Sequence, residues 1–370
     1  MTSVDDTVVL TGATGFLGME VLARLLEQTD CEVIALVRAG DGDEAAARID
    51  TVLGQLYDDP PAGARERIRG VPGDVATEDF GLSADDRSEI VASARSVIHC
   101  AASIQFELPL EEAREINTAG TKRMLELAGE LEDVRRVIHV STAYVAGRHE
   151  GTFHEDDLDE GQEFRNSYEQ SKYEGELAAR AADLPLVTAR PSIVVGARHT
   201  GWTPAFNVIY WPLQAFARGL LKEVPADPEG IVDIVPIDYV ADGIVHLLGM
   251  PEVPGTVALV AGKRAASNLQ LIETACRELD RDPPKLNADA TMAGEGATFL
   301  PYFAVTTRFD DRNAREALEP AGIEMEDLDD YFPAVIDYAL RAKWGKAGIT
   351  REAAQRASEE QGVEADASSG

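Results

Sequence analysis

A short apolar run, Thr7–Leu10, passes through Thr11-Gly12-Ala13-Thr14-Gly15-Phe16-Leu17-Gly18 into the amphipathic pattern Phe16–Gln28. A strand that hands the chain to a helix through so tight a turn returns it for a second strand parallel to the first. The pattern repeats. Apolar runs recur at Glu32–Val37, Ile68–Val71, Ser96–Cys100, Arg136–Val140 and Leu186–Ala189, with helical patterns between them, clearest at Leu110–Glu130 and Ser167–Ala182. This predicts an α/β fold with a doubly wound parallel sheet.

The 370 residues exceed one minimal domain, and 45% apolar content suffices for a large core. After Gly196 the pattern changes. Gly201–Leu221 is aromatic and bulky, Ile231–Ile237 reads as a strand returning to the core, and helical patterns dominate from Ser267 to Trp344, broken by Pro283-Pro284 and Pro301. The expected organisation is a sheet domain from 1–195 and 231–262, a smaller, mainly helical substrate-binding cap from 196–230 and 263–346, and a disordered acidic tail, 347–370.

The glycine string has a chemical reading. Glycines let the backbone turn tightly and approach a pyrophosphate, and the helix that follows offers free N–H groups to its charge. Gly12, Thr14, Gly15, Phe16, Leu17 and Gly18 are therefore expected to cradle a dinucleotide. The second run ends at Arg38, where an NAD site usually carries an acidic residue for the ribose. A guanidinium suits a 2′-phosphate, so NADP(H) is the expected cofactor. Asp74 and Val75 after the third run, and Ala101 and Ala102 after the fourth, stand at strand ends where such a ligand lies. His99 reads as a packed strand residue.

Ser141 and Thr142 end the fifth run, and Tyr168 and Lys172 are four apart at the start of a helix, hence on one face. An ammonium near a phenol is expected to lower its pKa, and a neighbouring hydroxyl can hold the same carbonyl oxygen. With these residues in place, residues 7–262 resemble the extended short-chain dehydrogenase/reductases, which have a Rossmann sheet. The resemblance implies that Thr142, two residues before Tyr144-Val145, forms the catalytic set with Tyr168 and Lys172. It also implies that Asn117 is the family's asparagine on the long helix, and that Arg190-Pro191-Ser192-Ile193 is the loop meeting the nicotinamide, adding Pro191 and Ile193 to the cofactor contacts.

The run His99–Phe106 with Asn117, the stretch Val140–Tyr144, Gly201-Trp202, Gly219-Leu220-Leu221 and Asp233–Val240 narrow the likeness to the fatty acyl-CoA reductase and thioester reductase branch. That branch implies NADPH-dependent reduction of a small-molecule acyl thioester, CoA- or carrier-bound, to an aldehyde or alcohol. Competing readings are a sugar-nucleotide epimerase or dehydratase, a hydroxysteroid-type alcohol dehydrogenase, and a non-enzymatic NADP sensor. Phe206, Ile209, Tyr210, Trp211, Leu213 and Phe216 could line an acyl tunnel or form the core of the cap. Arg198, Arg218, Lys222, Lys263 and Arg264 could meet a polyanionic CoA or be scattered surface charge.

The net charge of −32 argues against nucleic acid and anionic membranes, and suggests a salt-rich, halophilic setting. Cys31, Cys100 and Cys276 lack metal-ligand spacing, so no metal is expected. The polar start without a signal peptide, and the absence of a membrane-length apolar run, point to a cytoplasmic protein; a homodimer stays open.

Overall fold

The computed structural model of the chain describes residues 6–287 and 302–368. Seven parallel strands form the central sheet: β1 Thr7–Thr11, β2 Val33–Val37, β3 Ile68–Pro72, β4 Ala94–His99, β5 Arg136–Val140, β6 Leu186–Ala189 and β7 Thr256–Val257. Their spatial order is β7-β6-β5-β4-β1-β2-β3. The order reverses between β1 and β4, which opens a crevice at their carboxyl ends.

Both faces are covered, so β1, β2 and β5 are buried along almost their whole length, while the edge strand β3 leaves Arg69 exposed. Val8, Leu10, Ile98 and Ile138 face one helical layer, which includes α1 Phe16–Gln28 and α2 Gly42–Leu56. Val9, Val97 and Val137 face the other, which includes α3 Ala84–Ser93 and α4 Gly120–Glu130. The long helix predicted over Leu110–Glu130 is present, with a wider π-helical stretch at Arg114–Ala119. α5, Ser167–Ala181, packs against it.

Beyond β6 the chain builds α6 Tyr210–Ala217, α7 Ile237–Gly249, α8 Asn268–Leu279, α9 Arg312–Leu318 and α10 Leu328–Arg341. α7 returns to pack on α1. α6 and α10 share a second core with Tyr144, Val145 and Ile193.

Two expectations change and one open alternative narrows. Ile231–Ile237 is not one strand. Ile231–Val232 pairs antiparallel with Ala266–Ser267, while Ile234–Pro236 pairs parallel with Ile193–Val195, so the chain switches partners at Asp233. The apolar segment is mostly closed up as cap core: Ile209, Tyr210, Leu213 and Phe216 are buried, and only Phe206 and Trp211 are half-buried. Finally, the acidic tail is not disordered at its start, because Arg351–Ser368 forms a helix, α11. Arg351 is buried and holds Glu20 at 2.9 Å and Glu27 at 2.7 Å, both on α1. Those ion pairs and the buried Ala354 offset the ordering cost that the tail's polar composition alone would not meet. Pro301 and the last two residues lie outside the described residues.

Candidate active site

The glycine turn sits at the carboxyl end of β1, beside the point where the sheet order reverses. Gly12 has φ +78°, and a Cβ there would lie 2.7 Å from the Ala101 nitrogen. A Cβ at Gly18 would lie 2.1 Å from the Gly12 oxygen. Only glycine permits both approaches. No side chain caps the start of α1, which leaves its first backbone N–H groups for a bound anion, and Thr14 and Gly15 are exposed. This cradle fits a dinucleotide pyrophosphate.

Arg38 is exposed at the end of β2 and forms no ion pair among the described residues. Two of its acidic neighbours are occupied elsewhere, while Asp43 is exposed. Asp41 caps α2 by accepting from the Glu44 N–H, and Glu44 accepts from the Gly40 N–H and pairs with Arg48. Asp74 accepts from the Ala76 N–H at 2.9 Å and shapes the turn after β3. Val75 is half-buried and fills the space beside Gly120. Ala101 donates its N–H to the Thr11 hydroxyl at 3.2 Å, and Ala102 is exposed.

α5 brings Tyr168 and Lys172 to this crevice. Asn166 caps it by accepting from the Glu169 N–H at 3.0 Å, which fixes Tyr168 in the first turn. The Thr142 hydroxyl lies close enough to the Tyr168 phenol to act on its ionisation. Thr142 is itself fixed by the short turn it begins: its hydroxyl accepts from the Tyr144 N–H at 3.3 Å and donates to the Pro191 carbonyl at 3.4 Å. Ser141, the alternative hydroxyl, is turned away and donates to Glu176 at 2.7 Å. Lys172 is buried and donates to the Val140 carbonyl at 2.7 Å.

The electrostatics differ from the sequence expectation. Burial pushes the Tyr168 phenol up to about 12, against the lowering effect of the Thr142 hydroxyl. The ammonium of Lys172 is drawn to a backbone carbonyl and does not offset that burial. Burial also lowers Lys172 to about 8, against the charge of Glu176.

Other expected contacts fall differently. Asn117 is 1% exposed, and its amide is taken up: it accepts from the Ser103 N–H at 2.8 Å and donates to the Ser103 carbonyl and the Ser171 hydroxyl. It lies one residue from Lys172 through Ser171 and clasps the loop after β4. Pro191 is buried, its carbonyl held by the Ala143 N–H and by Thr142. Ile193 is packed in the second core. His99 is a packed strand residue, with its ring 2.8 Å from the Thr11 hydroxyl and stacked on His139. Burial holds it near 3, and so neutral.

Sequence reasoning missed the buried pair behind the site. Arg190 and Glu176 meet at 2.5 Å, and Glu176 holds Ser141. The signal was available: Tyr168, Lys172 and Glu176 follow at intervals of four on one helix face. The cap-side cations are mixed. Arg198 pairs with Asp238 and Arg264 with Asp327, while Arg218, Lys222 and Lys263 are exposed and form no ion pair among the described residues.

A reversed-order parallel sheet, a glycine cradle and Thr142, Tyr168 and Lys172 beside it have the form of an extended short-chain dehydrogenase/reductase. Residues 10–244 match the male sterility protein family of NAD-binding domains, and the chain belongs to that family. It is 29% identical over 275 residues to fatty acyl-CoA reductase 1 of Homo sapiens, covering 64% of this chain and 53% of that protein. It is 33% identical over 250 residues to a linear gramicidin synthase of Brevibacillus parabrevis, covering 65% of this chain and 5% of that protein. The terminal R domain from the myxalamid PKS-NRPS pathway superposes with a TM-score of 0.81 at 25% identity, over 94% of both chains. The chain thus spans about half the length of the acyl-CoA reductase it matches and corresponds to a small part of the synthase.

Proposed function

We propose that the protein is an NADP(H)-dependent reductase of acyl thioesters. The observation that carries this reading is that Thr142 is held close to the Tyr168 phenol beside the dinucleotide cradle, while Ser141 is withdrawn onto Glu176. Two hydroxyls then converge on one position, where the carbonyl oxygen of a thioester would sit. The names of the relatives, an acyl-CoA reductase and a peptide synthase, support a thioester-bound acyl group as the substrate class.

A bound nicotinamide would supply the hydride. The protein's part is to bind, orient and protonate. Thr142 and Tyr168 hold the carbonyl oxygen as charge builds on it, and Tyr168, kept protonated by burial, supplies the proton. The carbon–sulfur bond of the resulting hemithioacetal then breaks, giving the aldehyde and the free thiol. Lys172, anchored on Val140, keeps a cation beside the site. Exposed Arg38 would take the 2′-phosphate.

The test follows NADPH oxidation and free-thiol release together against acyl-CoAs, carrier-bound acyl groups, aldehydes and nucleotide sugars. Stoichiometric NADPH use and thiol release are expected. Turnover of nucleotide sugars or steroids with no thioester turnover would overturn the reading.

A further inference from the structure

A line of aromatic contacts runs from the catalytic phenol into the cap. The Tyr168 ring lies 5.5 Å from Phe106, and Phe106 lies 5.3 Å from Tyr302. Tyr302 meets Tyr144 edge-on at 4.8 Å, and Tyr144 meets Phe309 edge-on at 5.6 Å. The three inner members are buried, being 4% exposed at Tyr302, 5% at Tyr144 and 7% at Phe309. Phe106 and Tyr168 are only half-buried. The part of this wall that an incoming molecule can touch is therefore the catalytic ring and the ring packed on it.

Phe106 is carried by a loop after β4, and a loop residue would ordinarily move aside. This loop is clasped on both sides of the site. Asn117 holds Ser103 through both its N–H and its carbonyl, at 2.8 and 3.1 Å. Ser167, the residue before the catalytic tyrosine, donates its hydroxyl to the Leu108 carbonyl at 2.7 Å, with the Phe106 carbonyl at 3.3 Å. Between the two clasps Ile104 stands 49% exposed. The residue next to the tyrosine thus holds the loop that carries the ring beside the phenol. Tyr302 is tied to the same helix start, accepting from the Asn166 amide at 3.0 Å.

We propose that Phe106 is a specificity-determining residue, a rigid wall beside Tyr168 that limits the bulk allowed on the carbon next to the reacting carbonyl. Straight acyl chains pass it, and chains branched at that carbon meet the ring. The inference rests on carbonyl reduction at Tyr168, as proposed above.

The experiment compares kcat/KM for straight-chain and α-methyl-branched acyl-CoAs of equal chain length in the wild type, Phe106→Ala, Phe106→Leu and Ser167→Ala. NADPH affinity is measured alongside. The wild type should favour the straight chain, and Phe106→Ala should cut that preference by about tenfold or more, the scale of discrimination that one methyl group supports. Phe106→Leu, which keeps the loop's apolar packing, should fall between the two. Ser167→Ala should shift the preference the same way but less, with NADPH affinity unchanged in all four proteins. A preference unchanged in both Phe106 variants, or straight and branched rates falling in parallel, overturns the proposal. If the wild type reduces no thioester, the thioester reading fails by itself. The Phe106 assignment is then decided by the same ratio on straight and α-branched aldehydes.

Discussion

Replacing Arg38 with alanine tests the cofactor assignment most directly. A hydrogen bond to a charged group contributes about 1.5–3 kcal/mol, whereas an exposed ion pair contributes about 0–1 kcal/mol. Arg38 is exposed, which favours the low end of the first range. Its neighbours Asp41 and Glu44 are committed to the start of α2, so no rearrangement is needed to release the guanidinium. A loss near 1.5 kcal/mol corresponds to about a tenfold rise in the NADPH Kd at low ionic strength. Molar salt shortens the screening length to about 3 Å, and the same substitution should cost less there. NADH has no 2′-phosphate, and its Kd should not move. The assay is titration of both cofactors against wild type and Arg38→Ala, at low and molar KCl. Equal losses for NADPH and NADH would refute the reasoning, because Arg38 would then be shaping the site rather than reading the phosphate.

Tyr168→Phe should retain NADPH binding and lose turnover by about 10²–10⁴-fold, the usual contribution of a positioned acid; a smaller loss in steady-state kinetics would remove the tyrosine from its role. Thr142→Ala should lower kcat more than Ser141→Ala, whereas Ser141→Ala should lower the unfolding midpoint more, since it strips a partner from buried Glu176; the reverse order in kcat would exchange the two roles. Lys172 sits near 8, so kcat/KM should fall as pH rises through that value and the site loses its cation. The sign for stability is opposite: a lysine lowered from 10.5 binds fewer protons folded than unfolded, so its contribution to stability rises with pH between about 8 and 10.5, and Lys172→Met should remove that rise from pH-dependent unfolding curves. Thermal midpoints should climb from low to molar KCl, because a net charge of −32 repels itself and salt screens it; a flat or falling midpoint would contradict this.

What could be read from the sequence was local. β1 to β6 are apolar runs bounded by turns, and the glycine cradle and the Tyr168–Lys172 pair are fixed by short spacings. β7 escaped because Thr256–Val257 is only two residues long and is a strand only by virtue of pairing with β6. The C-terminal helix escaped because Arg351 finds its carboxylates on α1, 331 and 324 residues earlier, and no periodicity reports that contact. Phe106 and Tyr302 likewise meet across a long gap in the chain. The apolar stretch Ile209–Phe216 was legible as hydrophobic, but hydrophobicity does not distinguish a cavity lining from a filled core. The choice of Thr142 over Ser141 came from its place two residues before Tyr144-Val145, whereas the engagement of Ser141 by Glu176 depends on a residue 35 positions away that no local spacing reports.

The protonation state of the site bears on the part that Tyr168 plays. Spacing alone suggested a phenolate beside an ammonium, the form suited to taking a proton from an alcohol. In the structure burial acts on both groups toward neutrality, raising Tyr168 to about 12 and lowering Lys172 to about 8. Lys172 commits a hydrogen bond to Val140, at the end of the strand that leads into Thr142, and so braces that hydroxyl. At neutral pH the phenol is protonated and the amine largely charged. A protonated phenol can hand a proton to a carbonyl oxygen without first acquiring one. A phenol held in its protonated form suits the role of proton donor in the proposed reduction.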